Sequence, residues 1–425
     1  MRVLVAGAHW ELIGGSERHT RDVSRALAQA GHEVCVLVDS DPTTTFDNQD
    51  QRQAAVSDDD RSEAGLQLFQ VSGCATAAPL ESSTQCEVNE ILARFRPQVI
   101  LILVARNAQL LSQLTAAAPV VRLVQDHVPF CPGGNKTLLS GTPCRRPAGA
   151  RCLVTALMGS GCAGLRKTSG PAWRRTVSQW RRTAEDLKAL RNAPFLLVAS
   201  DYMAGELVAV GCRPEQITTL PYFTNSGPPE VRQREASDRT SPAPPRILTP
   251  ARLTLPDKGV DYLLTALGQV RLPFHATICG EGPARAWLEH KAREEGLAQR
   301  VQFAGWCSDR EMEQHYGAAD VAAIPSMWDE PFGIVGIEAM AHGLPVVAFD
   351  VGGICSWLRS GETGTLVPRG ETAAFAAALD ELLGDVDLRR RYGTAAQALV
   401  AAEYRAPQHL AALESILERA AETGC

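Results

Sequence analysis

The feature that most limits what this chain can fold into is a short, mostly apolar run that keeps returning. Such runs occupy residues 3–7, 34–38, 99–104, 120–124 and 195–199, then 247–249, 274–279, 321–325 and 346–349. They are too short for buried helices and, apart from His275 and Thr277 in the run 274–279, do not alternate with polar residues. A strand of that kind is covered on both faces, as inside a parallel sheet flanked by helices. Helical patterns lie between several of them. Residues 16–30 form one, stopped by Gly31, and residues 260–270 and 334–342 form two more. The alternation predicts an α/β chain of parallel sheets with helices on both sides.

The rhythm breaks once. Residues 227–245 are rich in proline, serine and charge and offer almost nothing to bury, which reads as a linker. It separates an N-terminal half, 1–226, from a second half, 246–406, followed by an amphipathic terminal helix over 407–425. There is no short-period repeat, which argues against a solenoid. Residues 39–63 carry eight carboxylates and two arginines and read as a surface loop, or as a lid beside a cleft.

Composition narrows the function. A formal charge of −6, with 45% hydrophobic and 21% charged residues, fits a soluble globular protein. The mild acidity speaks against a general nucleic-acid binder. No apolar run approaches the roughly 20 residues of a membrane span. The start of the chain does not look like a signal peptide, so a cytoplasmic protein is expected. In that compartment the twelve cysteines are expected as thiols or metal ligands rather than disulfides.

Chemistry-bearing residues gather just after the strand runs, where ligands of open α/β sheets bind. Arg252 follows one run, and Lys258-Gly259 precedes the next helix. A guanidinium fork and an ammonium point charge suit a diphosphate, although two solvated loop cations would look the same. Gly280-Glu281-Gly282-Pro283 follows another run and falls short of the dinucleotide GxGxxG pattern. Gly14-Gly15 opens the first helix, where backbone N–H groups can approach a phosphate. Asp126-His127 lies past the run 120–124. In Glu330-Pro331-Phe332-Gly333-Ile334-Val335, and on to Glu338, two carboxylates flank a helix start. If the span were helical they would stand about 12 Å apart, a scale for gripping two parts of one ligand. Glu338 sits among apolar residues, which is costly without a cleft or a partner.

These residues carry a resemblance. Gly14-Gly15 with Glu17, His127, Arg252, Lys258-Gly259, Gly280-Glu281-Gly282-Pro283, and Glu330 and Glu338 with seven residues between them, resemble the retaining glycosyltransferases of the GT-B fold, family 4 (group 1). The resemblance spans nearly the whole chain and is most specific around Pro331-Phe332-Gly333. It implies two Rossmann-like domains facing across a cleft, with the terminal helix crossing back to the first. It implies a nucleoside-diphosphate sugar as donor and a hydroxyl acceptor on a glycan, a lipid-linked molecule or a small molecule. Arg252 and Lys258 would contact the diphosphate and Glu338 the donor ribose. Glu330, with the backbone of Phe332, Gly333, Ile334 and Val335, would hold the sugar, and His127 would lie near it. Gly14, Gly15, Gly280, Glu281 and Gly282 would line the donor site. No DxD pattern stands where a catalytic divalent metal is expected, so the two cations would stabilise the leaving diphosphate. Retention would follow from attack on the face the diphosphate leaves, with a phosphate oxygen taking the acceptor's proton. Other readings are an epimerase of the same fold, a phosphorylase, and a non-catalytic nucleotide-sugar or partner-binding module. A dehydrogenase fits least, because Ala8-His9-Trp10 replaces a GxGxxG loop.

Two segments depart from the minimal pattern. Cys131, Cys144, Cys152 and Cys162 fall within residues 131–162, in a stretch too poor in apolar residues to hold itself together. They suit a structural zinc site, an iron–sulfur cluster, two disulfides, or four independent thiols. Residues 166–191 hold eight Lys or Arg, with Trp173, Val177 and Trp180 on one helical face. That suits peripheral contact with the inner face of a membrane, or a helix whose tryptophans pack inward.

Overall fold

In the computed structural model the apolar runs become the buried strands of two parallel sheets. The structure describes residues 1–10, 14–40, 65–75, 79–105, 107–138, 142–147, 149, 151–152, 154, 162, 172–228 and 244–423, with 172–176 as backbone alone. The first sheet comprises β1 (Arg2–Ala6), β2 (Glu33–Asp39), β3 (Leu66–Val71), β4 (Val99–Ile102), β5 (Val120–Leu123), β6 (Phe195–Val198) and β7 (Ile217–Thr219). Their order across the sheet is β3-β2-β1-β4-β5-β6-β7. The second comprises β8 (Arg246–Pro250), β9 (His275–Cys279), β10 (Val301–Gly305), β11 (Val321–Ile324), β12 (Val346–Phe349) and β13 (Gly364–Val367), in the order β10-β9-β8-β11-β12-β13. Every described strand pair is parallel.

Strand β1 shows why its run is unbroken. Successive side chains point to opposite faces, and both faces are covered. Val3 and Val5 pack with Val23 and Leu27 of the helix Gly15–Gln29. Leu4 and Ala6 pack with Ile91, Leu92 and Phe95 of the helix Ser82–Phe95. Burying each Val or Leu contributes about 1.5–3 kcal/mol, so a polar residue on either face would cost stability.

The terminal helix Ala406–Glu422 packs on the helix Gly15–Gln29 and on β4 and β5 of the first sheet. His409 Nδ1 lies 2.8 Å from the Pro221 carbonyl, and His32 Nε2 lies 2.8 Å from Glu414 Oε1. Arg405 donates to the Ser226 and Pro228 carbonyls, each at 2.7 Å, and so clasps the start of the segment between the sheets. Most of the expected linker and nearly all of the acidic stretch lie outside the described residues.

Candidate active site

The carboxyl ends of both sheets open onto one cleft of about 1760 Å³. That exceeds the few hundred to about 1,000 Å³ of a typical small-ligand pocket and leaves room for two substrates. Gly14, Gly15, Arg252, Lys258, Gly280 and Glu281 line it. So do Glu330, Phe332, Gly333, Ile334, Val335 and Glu338.

Two glycines bring the loops together. Gly259 has φ +64°, and a Cβ there would fall 1.9 Å from the Pro325 carbonyl oxygen. The loop after β8 therefore lies directly on the loop after β11, which sets Lys258 beside Glu330. Gly280 has φ +144°, and a Cβ would fall 2.0 Å from the Ala251 oxygen. That contact seats the loop after β9 against the strand end leading to Arg252.

Lys258 Nζ donates to Glu330 Oε1 at 2.5 Å, and Ser326 Oγ donates to the same oxygen at 2.6 Å. Lys258 also sits 5.3 Å over the Trp328 ring, in cation–π range. Glu330 is buried. Burial by itself would push its pKa up, but the Lys258 charge and the bonds from Lys258 and Ser326 outweigh that and hold it low. Glu330 is therefore a carboxylate at neutral pH. Arg252 reaches the opposite wall, where a Cβ on Gly14 would meet its guanidinium at 3.2 Å.

The two glutamates are not joined by one helix. The helix begins only at Ile334, with Gly333 left-handed at its N-cap and no side-chain cap, so the helical spacing expected between Glu330 and Glu338 does not apply. The indole Nε1 of the fully buried Trp357 donates to the Phe332 carbonyl at 2.7 Å and fixes this loop.

Glu338 meets partners from both halves of the chain. Arg18 Nη1 donates to its Oε1 at 2.8 Å and Tyr316 Oη to its Oε2 at 2.8 Å. Arg18 also pairs with Asp309. Burial and the Glu338 charge push the Tyr316 phenol well up, so it stays protonated and donates. Ser200 Oγ adds a second bridge, to the Pro331 carbonyl at 2.5 Å. Arg18, Tyr316, Ser326 and Trp357 were not expected from the sequence. Arg18 did leave a signal: it sits at the start of a helix, where the dipole disfavours a cation.

Two of the expected site residues lie just behind the cleft surface. His127 is fully buried, with its ring against Phe130, Tyr202 and the cleft residue Trp328, and it is near enough to Glu330 to interact with it. Its Nε2 lies 2.9 Å from the Tyr202 hydroxyl. Burial, with the nearby Lys136 charge, pushes its pKa down to about 3. Its ring is therefore neutral, packed behind Trp328 at the start of the short turn Val128–Phe130. Gly282 lies beneath the wall, where a Cβ would meet the Leu253 oxygen at 2.4 Å. Its role is in the turn.

In the described part of the cysteine-bearing segment the four cysteines are not gathered into one group. No three of Cys131, Cys144, Cys152 and Cys162 bring their sulfurs within 4.8 Å of one another, although Cys131 and Cys162 are close enough to interact. The expected four-thiolate zinc or iron–sulfur shell is not assembled here, and Cys131, Cys144 and Cys152 are free thiols. Polar contacts fasten the segment instead. Lys136 pairs with Glu206 in a buried site, and Trp180 Nε1 donates to the Gly149 carbonyl at 3.1 Å. Asn135 donates to Asp257 at 3.2 Å, and Arg145 lies 3.7 Å from Asp329, so the segment spans the cleft edge. Of the basic stretch, the structure describes the helix Ala172–Asn192, whose Gln179 and Arg182 line the cleft. No described helix is long and apolar enough to cross a membrane.

Comparisons with known proteins agree with this architecture. The "Glycosyl transferase 4-like domain" family matches residues 14–222, and "Glycosyl transferases group 1" matches residues 232–399. A D-inositol 3-phosphate glycosyltransferase of Nocardia farcinica is 41% identical over 153 residues, 34% of this chain and 34% of that relative. The match thus spans about a third of that relative's length. A glycogen synthase of Mycobacterium tuberculosis is 26% identical over 424 residues, covering 95% of this chain and 91% of that one. Among solved structures, Anabaena Alr3699/HepE in complex with UDP superposes with a TM-score of 0.67 at 19% identity, covering 99% of this chain and 100% of that one. Matched by the two families over most of its length, with two parallel sheets facing one cleft, the chain belongs to the group 1 glycosyltransferases of GT-B architecture.

Proposed function

We propose that this protein transfers a sugar from a nucleoside-diphosphate sugar to a hydroxyl acceptor, with retention of anomeric configuration. The observation that carries the reading is the buried Glu330 carboxylate, held ionised by Lys258 and Ser326 in a cleft that also presents Arg252 and the start of the helix Ile334–Ala341. Such a site offers a hydrogen-bond acceptor to sugar hydroxyls beside positive charge for a diphosphate. The second half, 246–406, binds the donor and the first half, 1–226, the acceptor. Glu338 takes the donor ribose.

As the bond from the anomeric carbon to the diphosphate breaks, negative charge grows on the departing oxygens. Arg252, Lys258 and the helix N-terminus stabilise it in a site partly closed to water. The acceptor oxygen bonds to the same carbon on the face being vacated, and its proton passes to a diphosphate oxygen. This route needs no protein nucleophile, unlike a retaining glycosidase. The exposed Arg182, which lines the cleft beside Gln179, Glu185 and Asp186, offers one cation to an acceptor, including a lipid-linked one. Flotation with anionic vesicles tests the membrane form of that idea.

The primary test is a thermal-shift panel of UDP, GDP, ADP and their sugars. A ligand at 100 times its Kd adds about 2.7 kcal/mol of stability. UDP compounds come first, because UDP is bound in the Anabaena structure. Failure of every nucleotide to raise the melting point defeats the donor-site reading. NMR of the product then reads the anomeric outcome, and an inverted product refutes retention. Release of an epimerised nucleotide sugar without acceptor would point to the epimerase instead.

A further inference from the structure

A second constellation stands apart from Glu330 and Glu338 on the same cleft wall. Cys279 ends β9, Cys307 lies two residues beyond the end of β10, and His315 lies on the helix Asp309–Ala318. Strands β9 and β10 are parallel neighbours, with Gly305 opposite Cys279 in register. Their carboxyl ends therefore deliver the two sulfurs side by side. The ligand atoms of Cys279, Cys307 and His315 all lie within 4.8 Å of one another, and no other described His, Cys, Asp or Glu residues form such a group of three.

We infer that Cys279, Cys307 and His315 form a binding site for a thiophilic divalent cation of the zinc class, open to the cleft at its fourth position. The inference does not depend on the transferase reading. In a tetrahedral zinc shell with two sulfurs and one imidazole, neighbouring ligand atoms stand about 3.5–3.8 Å apart. Closing the present group to that spacing takes shifts of about 1 Å in the ligand atoms. Both cysteines line the cleft, so the vacant side of the tetrahedron faces water or a bound ligand.

The surroundings hold the group in place. Glu311 lies one helical turn before His315 and interacts with it electrostatically. Its Oε2 also accepts from the Ser308 backbone N–H at 2.8 Å and from Ser308 Oγ at 2.7 Å. These bonds are the capping box that starts the helix carrying His315 directly after Cys307, so they fix where that helix begins. On coordination each S–H bond gives way to a sulfur–metal bond, and the two protons pass to solvent. The bound ion would clamp the loop 305–308, which includes Trp306 on the cleft wall.

The test is cobalt(II) titration of the reduced, chelator-stripped full-length protein, followed by zinc(II) displacement. The expected result is one equivalent of the intense visible absorption of tetrahedral thiolate cobalt, bleached by one equivalent of zinc. Cys307→Ser and His315→Ala, both at only partly buried positions, should abolish or shift it. A variant with serine at 131, 144, 152 and 162 should keep it. Absorption that survives Cys307→Ser and disappears in the four-serine variant overturns the site and assigns the metal to the other segment. Absence of any tetrahedral absorption overturns it outright. The wild-type chain gives a check free of folding artefacts: one equivalent of zinc should protect Cys307 from N-ethylmaleimide, read by peptide mass spectrometry. Equal labelling with and without zinc counts against the proposal.

Discussion

Replacing Lys258 with Met keeps the stem of the side chain and removes the charge that faces Glu330. The carboxylate then stays buried with the Ser326 hydrogen bond but no cation. Breaking a fully buried pair from one side costs about 3–5 kcal/mol. Here the side chains are 28% and 10% exposed, so water screens part of the loss and about 2–3 kcal/mol is expected. The pH dependence identifies the cause. In the native protein Glu330 has a pKa below its unfolded value near 4.3. Its contribution is present above that unfolded value and is lost as pH falls through the lower folded one. In Lys258→Met, burial acts without the opposing charge, so the folded pKa rises above the unfolded one. The penalty then stands at neutral pH and fades as acid protonates Glu330. Urea unfolding at pH 7 and pH 5 should show the gap between wild type and variant shrinking at the lower pH. Lys258→Met with Glu330→Gln should be more stable than Lys258→Met alone at pH 7, because no buried charge is left behind. Neither variant should transfer sugar well, since losing one charge-stabilising donor costs about 10²–10³ in rate. A gap that is the same at both pH values, together with a double variant no more stable than the single, would refute the reasoning.

Three further outcomes follow from the same geometry. Gly259→Ala places a Cβ 1.9 Å from the Pro325 oxygen at φ +64°; the backbone strain alone is about 1–3 kcal/mol, and a melting point within a degree of wild type contradicts that packing. Trp357→Phe leaves the Phe332 carbonyl without its 2.7 Å donor, a loss of about 1–3 kcal/mol that should appear in urea unfolding alongside weaker nucleotide binding. Arg18→Met removes the bridge to Glu338 and Asp309. Arg18 is 30% exposed, but its loss leaves Glu338, only 7% exposed, without a cation, so stability should fall by about 2–3 kcal/mol, as for the Lys258 pair. The halves should also separate more readily, giving a larger radius of gyration in small-angle scattering of the nucleotide-free protein; an unchanged value would count against Arg18 as a latch.

The strands visible as mostly apolar runs are the interior ones: β2, β1, β4, β5 and β6 of the first sheet, and β9, β8, β11 and β12 of the second. The strands that escaped notice, β3, β7, β10 and β13, are the four edges. An edge strand lies partly in water, so polar residues interleave, as in the Leu-Gln-Leu-Phe-Gln-Val of β3 or the Ile-Thr-Thr of β7. The signal that revealed the sheets is burial on both faces, and it fades where that burial ends.

The site divides along a similar line. Arg252, Lys258, Glu330 and Glu338 were legible because each is a charged residue at a strand end or among apolar neighbours, and a buried charge needs a reason. What escaped is the set of partners that makes those charges tolerable. Arg18 lies 320 positions from Glu338, and Ser200 lies 131 positions from the Pro331 carbonyl it bonds. No local pattern can announce a bond whose other half is fixed by the approach of two domains. His127 shows a different limit: a strand-end position marks it as near the cleft, but only the fold shows that its ring is buried behind Trp328. Local chemistry therefore marks where a charge must be satisfied, and only the closed arrangement of the two sheets decides by whom. The pairing of Glu338 with Arg18 also gives that closure a consequence. The carboxylate proposed to take the donor ribose is, without donor, the anchor that draws the first half onto the second, so donor binding and domain closure must draw on the same group.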